Sequence, residues 1–149
     1  MQSAVIDTRK RIVFAIIAVL SFAGVADSAI SLQRHYAKSA TSYCDIGQQF
    51  NCDIVNRSEY SSIVGIPVAA IGVVGYGVLF FLTTFWRSHP ETPTRLVSAS
   101  ITGLGFALYL TYIEAYELMT WCILCLISLA LIFLITVLSL ALKLRRSDA

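Results

Sequence analysis

Four cysteines are the residues of this chain on which chemistry could rest: Cys44 and Cys52, eight apart, and the C-x-x-C pair Cys122 and Cys125 in Trp121-Cys122-Ile123-Leu124-Cys125. On a helix, residues i and i+3 share a face, so Cys122 and Cys125 can close a disulfide or present two thiols to one ligand. Two pairs permit thiol–disulfide exchange, in which a thiolate attacks a disulfide and the bond moves along. The alternatives are two structural disulfides, one disulfide plus inert buried thiols, or a four-cysteine zinc site. Zinc is disfavoured by the C-x7-C spacing of the first pair and by the lack of a histidine near either pair, and no metal is expected.

The elements that must position these thiols follow from composition. Of 149 residues, 57% are hydrophobic and 13% charged, and the mean hydropathy is +0.75. Soluble domains run at about 45–50% apolar and about 25% charged, so disorder, a collagenous chain and a small disulfide-stapled scaffold are excluded, and a soluble enzyme is disfavoured. A net charge of +2, with its basic residues at segment ends, gives no footprint for nucleic acid.

A bilayer core of about 30 Å needs about 20 apolar residues of helix. Four runs meet that, roughly residues 12–32, 63–86, 96–119 and 121–142, joined by a polar loop over 33–62, a turn over 87–95 and almost nothing between the last two. The expected fold is an all-α integral membrane four-helix bundle forming a single domain over 1–149. The first run is about twice the length of a signal-peptide core and reads as a retained helix. With both termini inside, the cytoplasmic face holds Arg9, Lys10, Arg11, Arg87, Arg95, Lys143, Arg145 and Arg146, against Arg34, Lys38 and Arg57 outside. Eight basic residues against three favour that orientation, which puts all four cysteines near the outer surface, where disulfides can persist.

A loop pair, expected to be mobile and exposed, suits exchange with a soluble dithiol protein. A pair at the lipid boundary suits an apolar two-electron acceptor such as a quinone. No glycine-rich nucleotide motif is present for NADPH.

The chain resembles the vitamin K epoxide reductase family, specifically its bacterial members, over nearly its whole length. The resemblance rests on a loop pair followed by C-x-x-C, on Cys52-Asp53-Ile54-Val55-Asn56-Arg57-Ser58-Glu59-Tyr60, on Val64-Gly65-Ile66-Pro67, and on Tyr109-Leu110-Thr111-Tyr112-Ile113-Glu114 before Trp121. It implies a four-helix bundle in the bacterial inner membrane, enclosing ubiquinone or menaquinone near the outer surface, with the extracytoplasmic 33–62 loop capping the active site. It implies that Cys125 lies next to the quinone, Cys122 partners it, Cys52 shuttles electrons to Cys122, and Cys44 exchanges with a thioredoxin-like or DsbA-like protein. Ser58 matches a polar position beside the family's active site. The given chain ends at Ala149 with no thioredoxin-like domain, so that partner is expected to be a separate protein. Where vertebrate members carry a tyrosine four residues after the second active-site cysteine, this chain has Leu129, so reduction of vitamin K epoxide itself is not implied.

Around this core, Glu114 is a candidate proton relay to the quinone and Trp121 a candidate cover for it. Glu117 and Asp27 read as interfacial, His35 and His89 as solvated, and the Asn56-Arg57-Ser58 sequon as chance. Gly65, Gly72, Gly75, Gly77, Gly103 and Gly105 read as helix-packing positions. Two rivals remain: the DsbB-like quinone-linked thiol oxidases, whose C-x-x-C pair comes earlier in the chain, and a non-catalytic membrane protein with structural disulfides.

Overall fold

The computed structural model describes residues 1–38 and 43–148; residues 39–42 of the expected loop and the terminal Ala149 lie outside the described residues. The chain is all-α. Among the described residues, three helices are long and apolar enough to cross a membrane: α1 (Gln2–Tyr36), α4 (Thr92–Ile113, continued by a π-helical turn over Glu114–Leu118) and α5 (Ile123–Ser147). The fourth apolar helix, α3 (Val68–Thr84), has 17 residues, fewer than the expected 63–86 run. The difference has a local cause. Ser62–Ile63 (β3) and Ile66–Pro67 (β4) pair as an antiparallel hairpin around Val64 and Gly65, both at positive φ. Proline at position 67 cannot donate to a helix interior and stands instead at the N-cap. At the other boundaries the helices overrun the apolar runs, α1 beginning at Gln2 and α5 ending at Ser147. Charged residues end a membrane span without ending a helix, and neither extension contains glycine or proline.

α1 packs on α3 and α5, and α4 packs on α5 and less extensively on α3. The aliphatic core between them includes Ile17, Leu79, Leu96, Ile132 and Ile135. Polar and small side chains are also inside: Ser21, Ser28, Ser31, Ser100 and Ser139 are buried, while Val19, Phe22, Val74, Phe133 and Leu140 are exposed. This distribution is inverted relative to a soluble bundle. It fits helices solvated by lipid, which approach one another through small residues. Gly24 shows the mechanism, since a Cβ there would fall 2.3 Å from the Tyr76 ring. Gly72 and Gly103 play the same part against Ser28 and Ile132, whereas Gly75, Gly77 and Gly105 face open space and Gly65 serves the hairpin turn.

Candidate active site

The loop between α1 and α3 is built to hold one cysteine still. Asp45–Ile46 (β1) and Phe50–Asn51 (β2) form a short antiparallel hairpin, and a six-residue helix, α2 (Cys52–Arg57), follows at once. Asn51 caps that helix: its side-chain oxygen accepts from the amides of Asp53 at 3.0 Å and Ile54 at 3.1 Å. Cys52 is thereby fixed in the first turn, bonded to Cys44 in a disulfide with Cα atoms 5.6 Å apart. The hairpin is tied in turn to the segment entering α5. The Trp121 amide donates to the Gln49 carbonyl at 2.8 Å, and the Asn51 amide donates to the Trp121 carbonyl at 3.1 Å. Phe50 and Trp121 thus form a parallel bridge beside the two cysteines that follow them.

The second pair is positioned by the link between α4 and α5. α4 loosens into its π turn at Glu114, and Met119, in the left-handed region at φ 49°, reverses the chain. Glu114 holds this reversal from both of its acceptors: its carbonyl takes the Thr120 amide at 3.2 Å, and its carboxylate Oε2 takes the Cys122 amide at 3.1 Å. Cys122 is the N-cap of α5, and Cys125 stands one turn inside it, the two thiols in side-chain contact and not disulfide-bonded.

All four cysteines meet in one cluster with Val55 and Leu124. Cys44, Cys52 and Cys122 are at most 2% exposed. The expectation of an exposed loop pair is corrected here: main-chain pairing to residue 121 folds the loop over the helix ends, and both of its cysteines are buried. Asn56 joins the pairs, its Nδ2 donating to the Cys52 carbonyl at 2.9 Å and to the Cys122 Sγ at 3.8 Å.

Beneath the cluster lies a cavity of about 630 Å³, and Cys125 is the cysteine that lines it. Its walls are largely aliphatic and aromatic, from Val55, Leu79, Phe106, Leu110 and Leu124, with a few polar groups between them. Size and lining suit a flat apolar ring that carries a small number of hydrogen-bonding atoms, as a quinone does. Ser58 and Glu114 share the lining with Cys125. The Ser58 hydroxyl donates to the Val55 carbonyl at 2.9 Å, and Glu114 is 2% exposed with its Oε1 buried and without a hydrogen-bond partner. Trp121 stands outside this lining and contributes its main chain to the loop bridge.

Three side chains of the site were not assigned to it from the sequence. Asn56 is buried and bonded to both cysteine segments, a role signalled only by its placement four residues after Cys52 on a short helix. His35, expected in solvent, lines the cavity, with Nδ1 2.6 Å from the Asn56 carbonyl and 3.2 Å from the Ser61 Oγ. Asp27, expected at the interface, is also buried and lines the cavity. The signal for both was the four-residue spacing Asp27, Ser31, His35, a polar row on one face of α1.

Fold and site define a class: an all-α membrane protein in which two cysteine pairs converge beside an apolar cavity at one end of the helices. The model of the vitamin K epoxide reductase family matches residues 15–140, and the chain belongs to that family. Membership makes it a membrane thiol–disulfide oxidoreductase. No curated protein matches the chain in sequence.

Proposed function

We propose that the protein carries electrons from an extracytoplasmic thioredoxin-like or DsbA-like protein, separate from this chain, through Cys44–Cys52 to Cys122–Cys125 and on to ubiquinone or menaquinone. The result is disulfide formation outside the cytoplasm of a bacterial cell. The observation that carries this reading is the graded placement of the thiols: Cys44 and Cys52 are bonded in the loop, Cys122 is beside them, and Cys125 alone of the four faces the cavity.

In the relay, a thiolate of the partner attacks Cys44 and releases Cys52 as thiolate, and the partner's second thiol then frees Cys44. Cys52 attacks Cys122 of a Cys122–Cys125 disulfide, which liberates Cys125 at the cavity wall. Cys44 next attacks Cys52, restoring the loop disulfide and leaving Cys122 and Cys125 as a dithiol. A bound quinone supplies a two-electron, two-proton sink for that dithiol. Cys125 delivers the electrons, Glu114 handles a proton at the cavity wall beside it, and Ser58 orients the ring. Because Cys44 is almost fully covered, the partner's approach requires the β1–β2 hairpin to shift. α3 completes a four-span bundle over 1–149, with both termini cytoplasmic and the cysteines outward, as the distribution of Lys and Arg favours.

The test is anaerobic reduction of a short-chain quinone by the purified protein, driven by a reduced thioredoxin-like domain. Turnover in wild type that vanishes in Cys125→Ala is the expected result. No turnover with benzoquinones or naphthoquinones in folded wild type would overturn the reading in favour of structural disulfides.

A further inference from the structure

The relay leaves one buried acid unused. Asp27, on the apolar stretch of α1, is 7% exposed and lines the same cavity as Cys125. Ser31 and His35 line it too, at successive spacings of four that stack on one helix face, and His35 reaches the loop through its contacts with Asn56 and Ser61. The row therefore runs from the cysteine end of the bundle into the cavity. Opposite it, the Tyr76 ring packs on Gly24, one turn before Asp27 on the same helix, and its hydroxyl donates to the Ser128 carbonyl at 2.7 Å and lies 2.9 Å from the Ser128 Oγ. Ser128 follows Cys125 by three residues, ~4.5 Å along the helix axis, a distance comparable to the width of a quinoid ring.

The cavity thus has two polar ends. One is Cys125 with Glu114; the other, about one turn further along α5, is Asp27 with Tyr76 and Ser128. The rest of the lining is largely aliphatic and aromatic. Among the described residues that line the cavity there is no lysine or arginine to pair with a carboxylate. That is the setting of intramembrane acids that hand on protons.

From this juxtaposition we infer that Asp27 is a second catalytic acid, giving a proton to the quinone carbonyl oxygen that points away from Cys125. The inference rests on the proposed use of a quinone. As Cys122 and Cys125 join in a disulfide, two electrons leave the pair. Glu114 gives a proton to the near oxygen and Asp27 to the far one, completing a quinol. One thiol proton restores Glu114 and the other leaves at the loop, while a proton entering from solvent passes by His35 and Ser31 to restore Asp27. Atoms and charges balance at two thiols oxidised and one quinone reduced.

The experiment compares wild type, Asp27→Asn and Asp27→Glu in lipid nanodiscs. It measures the rate of reduction of a short-chain benzoquinone, the rate of thiol exchange at Cys44–Cys52 with a reduced thioredoxin-like domain, and the infrared difference spectrum between oxidised and reduced quinone. Asp27→Asn is expected to slow quinone reduction by about 10²-fold, the scale of a lost general acid. It should leave thiol exchange unchanged and remove a carboxylic-acid carbonyl band from the difference spectrum. Asp27→Glu should keep the band, shifted, and recover most of the rate. A quinone rate in Asp27→Asn within twofold of wild type, or an unchanged band, overturns the inference. Loss of thiol exchange together with quinone reduction, with no recovery in Asp27→Glu, also overturns it and assigns Asp27 to packing. Wild type that exchanges thiols but reduces no quinone strikes the proposed acceptor itself, and this inference with it.

Discussion

The molecule has two buried clusters built on different principles. The largely aliphatic cluster around Ile17, Leu79, Leu96 and Ile135 is made by helices alone, from side chains far apart in sequence on α1, α3, α4 and α5. The cysteine cluster is made where irregular backbone meets helix ends, and what fixes it is a handful of hydrogen bonds: Asn51 capping α2, residues 49–51 paired to 121, and Glu114 on the Cys122 amide. The first cluster gains from packing density, and through Leu79 and Ile132 it also walls the cavity. The second holds four cysteines in one cluster, and in the proposed relay one of them must still be reached, which suits a framework of a few bonds that can open locally.

Breaking the chemistry should leave the packing intact. Cys122→Ser is expected to reduce thiol-driven turnover to background while helical circular dichroism is unchanged; a loss of helix would show that the two clusters are one cooperative unit. Breaking the packing should have the converse effect. Ile135→Ala, at a fully buried site, is expected to cost about 2 kcal/mol in a detergent unfolding titration, the low end for core truncation because lipid stands in for water around the helices. Its thiol-exchange rate should stay within twofold of wild type.

The two clusters also differed in how far the sequence disclosed them. Four apolar runs bounded by charges located the helices, since lipid demands length and apolarity and those are read directly. The grouping of the cysteines into a loop pair and a C-x-x-C pair followed from spacing and from the family resemblance, whereas the resting disulfide, one of three connectivities open to four cysteines, did not. The loop did not follow. The polar composition of residues 33–62 reads as solvent-facing, yet backbone pairing of Gln49 and Asn51 with Trp121, which any side chains permit, buries Cys44 and Cys52. Asn56 looked like part of a chance sequon because its partners, the Cys52 carbonyl and the Cys122 sulfur, come together only in the folded chain. His35 was lost to the same cause.

Those missed residues sharpen the comparison at smaller amplitude. Asn56→Ala removes both of these hydrogen bonds from a buried position, a loss of about 1–2 kcal/mol. It should slow formation of a trapped Cys52–Cys122 disulfide in a Cys44→Ala background by about tenfold, read on non-reducing gels. Asn51→Ala, which removes only the cap, is expected to weaken α2 by about 1 kcal/mol. It should show as modestly faster alkylation of Cys52 after mild reduction, with thermal stability of the bundle unaltered.

The parallel bridge between Phe50 and Trp121 has a meaning for how this chain can vary. Cys52 lies two residues beyond one side of the bridge and Cys122 one residue beyond the other. Side chains of an extended strand alternate in direction, so a shift of one position turns each to the opposite face. A single residue inserted between Trp121 and Cys122 would keep every thiol and every helix, yet rotate Cys122 away from Cys52 and part the donor circuit from the acceptor circuit. Length is therefore a currency this protein can spend freely in the 87–91 connection, far from the sulfurs, and hardly at all between bridge and cysteine.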